Sequence, residues 1–137
     1  MIVLDTSVVS AILRRRRRGE AEKKLAEVVT RLLDTDVPIV LPGIVFQEVL
    51  SGIAQPEQVR RVRRSIQDGF PLVLATEGDH IAAAELVNAA AGRGVAVSTP
   101  DALIAAQTIA RGATLLTTDS DFTRLTEFSQ LKLLGWQ

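Results

Sequence analysis

The stretch Met1-Ile2-Val3-Leu4-Asp5-Thr6-Ser7-Val8-Val9 decides how the rest of the chain is read. Ile2-Val3-Leu4 is an apolar run with no polar alternation, as in a strand buried on both faces. It ends at a carboxylate, Asp5. Thr6-Ser7 can then cap a helix carried on by Val8, Val9, Ala11, Ile12 and Leu13. A buried strand that hands over at once to a helix is the opening unit of a parallel α/β sheet.

The pattern recurs along the chain. Residues Glu20 to Leu33 carry apolar side chains at 21, 25, 28, 29, 32 and 33, which is helical spacing. Pro38-Ile39-Val40-Leu41 reads as a second buried strand, and Pro42 suits the first turn of a helix running to about Gly52. Val45, Val49, Leu50 and Ile53 share one face of it. Pro56 opens another helix, with Val59, Val62 and Ile66 inward and Arg60, Arg61, Arg63 and Arg64 outward. Phe70 to Ala75 is a third strand. Glu77 to Ala91 is a helix ended by Gly92 and Gly94. Thr99 caps and Pro100 begins a helix that stops at Gly112. Ala113 to Thr117 is a fourth strand, Asp119 to Leu125 a turn and short helix, and Leu131 to Leu134 a short last strand. Residues 1–137 are expected to form one α/β domain, a three-layer α/β/α arrangement around a parallel sheet of four to five strands.

Composition narrows the chemistry. The chain is 47% hydrophobic, enough for a core; a domain of this size hides roughly 68% of its unfolded surface. It has no cysteine, which excludes thiolate metal sites, disulfides and thiol nucleophiles. No apolar run approaches the ~20 residues of a membrane span. The start of the chain is too short and too soon acidic for a signal peptide, so the expected compartment is the cytosol. Sixteen basic and sixteen acidic residues cancel. The charge is nevertheless uneven: Arg14 to Arg18 form an unbroken run, and four more arginines cluster at 60–64. Such runs are either solvated faces or phosphate contacts.

The acids fall in informative places. Asp5 and Asp119 follow the carboxyl ends of the first and fourth strands, the edge where open α/β sheets bind ligands. Glu48 interrupts an apolar helix between Phe46 and Val49, and Asp101 occupies the first turn of another. Each has a plain structural explanation. Asp101 would favour the positive end of its helix, Asp5 could cap the next one, Asp119 and Asp121 could be turn residues, and Glu48 could face solvent. Acids converging on one sheet edge raise one another's pKa and call for a cation. With only oxygen ligands and a lone His80, that cation is Mg²⁺ or Mn²⁺ rather than zinc. Carboxylate-held ions of this kind activate water for phosphodiester hydrolysis. No phosphate-binding glycine loop and no Gly-x-Ser-x-Gly elbow is present. His80 reads as structural, and Trp136, Phe70, Phe122 and Phe128 as packing residues.

Four segments, taken in order, resemble one family. They are Ile2-Val3-Leu4-Asp5-Thr6-Ser7, Phe46-Gln47-Glu48-Val49, Thr99-Pro100-Asp101-Ala102-Leu103-Ile104-Ala105 and Leu116-Thr117-Thr118-Asp119-Ser120-Asp121-Phe122. Together they resemble the PIN domain, and most of all the VapC toxins of bacterial and archaeal toxin–antitoxin pairs. The resemblance covers nearly the whole chain. It implies an Mg²⁺- or Mn²⁺-dependent endoribonuclease that cuts structured RNA, a transfer or ribosomal RNA. It makes Asp5, Glu48, Asp101 and Asp119 the catalytic quartet. Asp5, Asp101 and Asp119 are its metal ligands, while Glu48 and Asp119 complete the shell or orient water. Thr6 or Ser7 and Thr117 would supply supporting hydroxyls, and Asp121 would anchor the turn. It further implies a homodimer and a VapB-type antitoxin that lays a segment across the site and supplies an arginine. The five consecutive arginines are no part of the family motif; with RNA as partner, Arg14, Arg15 and Arg16 become candidate phosphate contacts.

Two other readings compete. A catalytically silent PIN fold acting as an RNA- or protein-binding module would lack some of the acids, and none is missing. A haloacid-dehalogenase-type phosphatase needs an Asp two residues after Asp5, where Ser7 stands. A receiver domain needs an Asp after the third strand, and residues 70–76 contain none.

Overall fold

Ile2, Val3 and Leu4 form the central strand, and all three are buried. In the computed structural model, which describes residues 1–13 and 19–136, this strand (β1, Ile2–Leu4) is followed by α1 (Thr6–Leu13), α2 (Glu20–Leu33), β2 (Ile39–Pro42), α3 (Gly43–Ser51), α4 (Pro56–Gly69), β3 (Leu72–Val73), α5 (Glu77–Ala91), α6 (Thr99–Ala110), β4 (Thr114–Leu116) and α7 (Asp121–Thr126). The sheet order is β3-β2-β1-β4 and every pairing is parallel. Val3 aligns with Val40 on one side and Leu115 on the other.

That order sets the site. The chain steps outward from β1 to β2 to β3, then crosses back to the far side of β1 for β4. Right-handed crossovers place outward and returning helices on opposite faces. The direction of winding therefore reverses between β1 and β4, and the crevice beyond their carboxyl ends is the switch point of the sheet.

The core joins both layers. Val8 and Val9 of α1, Leu25 and Val29 of α2, Val45 of α3, Ile104 of α6 and Phe122 of α7 pack with the strands as one buried cluster. Phe122 is fully buried and anchors the short α7; removing such a ring costs about 3–5 kcal/mol. A smaller cluster of Ala83, Ala102 and Ala106 joins α5 to α6. The same helices are linked by Asp79, only 4% exposed, whose Oδ2 meets the Arg111 guanidinium at 3.3 Å. Burial alone would raise the Asp79 pKa. The hydrogen bonds from Thr76 and the charge and hydrogen bond of Arg111 outweigh it and hold the carboxyl below its ordinary range.

The end of α6 aims β4. Gly112 adopts a left-handed φ of +59°. Its N–H bonds the Ile109 carbonyl at 3.0 Å, and the Ala113 N–H reaches back to the Thr108 carbonyl at 3.0 Å. That pair is a Schellman cap, which turns the chain directly into the strand.

Local details differ from the sequence reading. Pro42 ends β2 and caps α3 instead of lying in its first turn. The cap of α6 is Ser98, whose hydroxyl accepts the Asp101 N–H at 3.2 Å, and Thr99 is the first helical residue. β3 shrinks to two residues because it is an edge strand paired on one side only, with Leu74 beyond it 73% exposed. The last strand is reduced to a parallel bridge between Leu133 and Leu115. Two backbone bonds hold it, Leu115 N–H to Lys132 O at 2.9 Å and Leu134 N–H to Leu115 O at 2.8 Å.

Candidate active site

Asp5 is fixed by the backbone on both sides. Its N–H continues the β1–β4 ladder to the Leu116 carbonyl at 3.1 Å, and its carbonyl accepts the Val8 and Val9 N–H groups that open α1. The residue is 3% exposed. Its Oδ2 accepts two hydroxyl bonds, from Thr117 at 2.7 Å and Ser7 at 2.8 Å. Each hydroxyl also accepts a backbone N–H: Thr117 from Asp119 at 3.0 Å, Ser7 from Thr118 at 3.1 Å. One proton donated and one accepted per hydroxyl makes a closed network. It ties the β1–α1 turn to the β4–α7 loop and steers both bonds onto one oxygen. Among the described residues nothing donates to Asp5 Oδ1.

Glu48 projects from α3 and is half-buried. Thr6 donates to its Oε1 at 2.8 Å. The two adjacent hydroxyls therefore divide the work: Thr6 holds Glu48 and Ser7 holds Asp5. Asp101 stands in the first turn of α6, also half-buried. Burial pushes its pKa up to about 6; the Ser98 hydroxyl opposes the rise, and the charges of Asp5, Asp119 and Glu48 add to it. The other three sequence-predicted acids thus all act on Asp101 through space.

Asp119 and Asp121 follow β4. The Asp121 N–H bonds Asp119 Oδ1 at 2.9 Å, an Asx turn that starts α7. Asp101, Asp119 and Asp121 each bring a carboxylate oxygen within 4.8 Å of the other two. Oxygens on opposite sides of a Mg²⁺ ion are about 4.2 Å apart, twice the ~2.1 Å bond. The trio therefore fits a small hard cation after modest side-chain adjustment, and its all-carboxylate donors suit Mg²⁺ or Mn²⁺. Asp121, read from sequence as a turn anchor, stands in this group. Asp5 and Glu48 are not in the group, but their charges reach Asp101 within it.

Two clefts flank α7. One, of about 370 Å³, is lined by residues that include Ser98, Asp101, Asp121 and Arg124. Arg124 is exposed and makes no ion pair among the described residues. The other, of about 390 Å³, runs from Thr117, Thr118 and Asp119 to Leu133, Leu134 and Trp136. The sequence reading passed over Ser98, Arg124 and this second cleft. Only Ser98 carried a signal, the Ser-x-x-Asp spacing of a cap. Arg14, Arg15 and Arg16 lie outside the described residues. Arg60, Arg61, Arg63 and Arg64 are exposed on α4, with Arg60 near Glu57 at 3.8 Å. His80 is exposed on α5, outside the acid cluster.

These features define a parallel α/β protein with an acidic site at the switch point of its sheet. A comparison with protein families matches the PIN domain over residues 2–127, and the chain belongs to that family. A comparison with curated proteins finds no match. Among solved structures, the chain is similar to VapBC2 of Rickettsia felis, a complex bound to a DNA fragment from its promoter. Identity there is 22% over 100% of both chains, with a TM-score of 0.79. It is similar to VapBC-1 of nontypeable Haemophilus influenzae at 23% identity, over 99% of this chain and 98% of that one, with a TM-score of 0.79. VapC20 of Mycobacterium tuberculosis, described as a toxin cleaving the sarcin–ricin loop, is 14% identical over 96% and 99%, with a TM-score of 0.73. At these identities the likeness is one of fold.

Proposed function

We propose that the chain is a divalent-metal-dependent endoribonuclease, acting in the cytoplasm as the toxin of a type II toxin–antitoxin pair. All 137 residues would form one PIN domain. The observation that carries this is the convergence of carboxylates at the switch point, with the Asp101 pKa raised by burial and then by the charges of three other acids and Asp101, Asp119 and Asp121 grouped within 4.8 Å. A cation would relieve the repulsion at Asp101 and would be useful there. The toxin–antitoxin complexes among the structural relatives support a VapB-type antitoxin, and the RNA-cleaving relative supports RNA as substrate. A homodimer and a structured target, tRNA or rRNA, follow from the same resemblance.

In this reading Asp101, Asp119 and Asp121 would hold Mg²⁺ or Mn²⁺, and Asp5 would add charge through Oδ1, to which no described residue donates. A bound ion lowers the pKa of water and offsets charge on the leaving oxygen. Glu48, anchored through Oε1 by Thr6, keeps its second oxygen to orient the attacking water and take its proton. Ser7 and Thr117 keep Asp5 from turning away. Arg124 offers the positive charge that a flanking phosphate needs. The test is cleavage of total tRNA and rRNA by the purified chain. Activity is expected with Mg²⁺ or Mn²⁺, none with chelator, and loss in both Asp5→Asn and Asp101→Asn. Cleavage that survives both substitutions refutes the assignment.

A further inference from the structure

The second cleft, which shares Asp119 with the acid cluster, bears on how a strand lies beside the acids. We propose, resting on that reading, that the cleft between α7 and residues 133–136 seats one unstacked nucleotide of the substrate strand, its base against Trp136.

Three observations carry this. First, the cleft is continuous with the acids: Asp119 lines it and also belongs to the cation-sized trio. A nucleotide seated there has its own phosphate at the reacting centre. Second, the walls suit a base and ribose and do not suit a phosphate. Thr118, Ser120 and Thr123 offer hydroxyls, Leu133, Leu134 and Trp136 offer apolar surface, and among the described residues no lysine or arginine lines the cleft. Arg124, which makes no ion pair among the described residues, lines the cleft on the other side of α7. Third, the Trp136 ring is already oriented, because its Nε1–H donates to the Thr117 carbonyl at 3.2 Å. Its donor is spent, part of the ring packs on the core, and what remains for a ligand is the exposed part of the ring surface. Stacking of that kind tolerates any base. The volume of about 390 Å³ lies at the small end of the ~300–1,000 Å³ typical of small-molecule sites. The substrate class is thereby narrowed to RNA with an unpaired nucleotide beside the cut bond, since a base inside a duplex presents no free face.

Trp136 is the chain's one tryptophan, and there is no tyrosine, so its emission reports this cleft alone. The Asp101→Asn chain, inactive on the nuclease reading, is titrated with a mixed-sequence single-stranded RNA of about ten nucleotides carrying a far-red label. Label anisotropy follows binding and tryptophan emission follows the cleft. The expected result is saturable quenching with the same midpoint as the anisotropy, and none from a blunt duplex of equal length. Thr123→Phe, which fills the cleft from an exposed wall, should weaken binding about fivefold or more and abolish the quenching. Trp136→Phe should retain most of the affinity. RNA that saturates by anisotropy while emission stays flat, with Thr123→Phe binding normally, overturns the cleft and leaves the nuclease reading standing. Equal quenching by the duplex overturns the unpaired nucleotide. No binding of the single strand overturns the cleft, and cleavage of tRNA and rRNA by the intact chain decides whether the nuclease reading falls with it.

Discussion

Replacing Thr117 by valine removes one oxygen and keeps the shape of the side chain. Thr117 is 8% exposed. Its hydroxyl makes the 2.7 Å bond to Asp5 Oδ2 and accepts the Asp119 N–H at 3.0 Å. A hydrogen bond to a charged group contributes about 1.5–3 kcal/mol, and Asp5, 3% exposed, has little water to replace it. The metal-free Thr117→Val chain should therefore be less stable by about that amount, read from urea denaturation. Activity should fall further than stability alone implies, because Asp5 and the Asp119 loop are both released. Loss of a group that orients a metal ligand typically costs about 10–100-fold in metal affinity or activity. Thr117→Ser keeps the hydroxyl and should recover most of the loss. The assay is Mg²⁺-dependent cleavage of RNA, with a Mn²⁺ titration of each variant. If Thr117→Val cleaves as fast as the parent and binds Mn²⁺ equally well, the hydroxyl network does not position the site.

Metal binding should weaken in mild acid. With the Asp101 pKa near 6, protons compete with the cation, so Mn²⁺ affinity measured by calorimetry should drop about tenfold between pH 7 and pH 5. The sign for folding is opposite. A raised carboxyl pKa means the metal-free fold gains stability from this group as pH falls through about 6 toward the unfolded value. Asp101→Asn should accordingly abolish cleavage yet raise the melting temperature of the metal-free chain at pH 7.5; a lower one would contradict the charge repulsion. Gly112→Ala meets no atom within 4 Å but must hold φ at +59°, and should cost about 1–2 kcal/mol in chemical denaturation. Arg124→Ala should raise KM for RNA and flatten its salt dependence with kcat little changed, the signature of a lost phosphate contact.

Much of the site was readable because buried parallel strands leave a plain trace. Ile2-Val3-Leu4 and Leu115-Leu116 are uninterrupted apolar runs, so the first acids after them had to lie at the carboxyl edge. That they are neighbours was not readable, since the chain between them passes through two other strands before crossing back. Asp121 shows where local reading stops. Its Asx-turn geometry is real, but the same turn carries its carboxylate to Asp101, twenty residues away, and only the packing of α7 through Phe122 does that. Ser98 and Thr99 compete for one capping role with equivalent hydroxyls, and the outcome depends on which reaches the Asp101 N–H. The short β3 reflects an edge position that composition does not disclose.

The claim that the carboxylates at the switch point form a divalent cation site is tested most directly by Mn²⁺ binding, followed by electron paramagnetic resonance. The intact chain should take up Mn²⁺ saturably, with Mg²⁺ competing, and Asp101→Asn and Asp119→Asn should lose that uptake while keeping the parent's circular dichroism. Undiminished Mn²⁺ uptake by both folded variants, or none by the intact chain, would contradict the account.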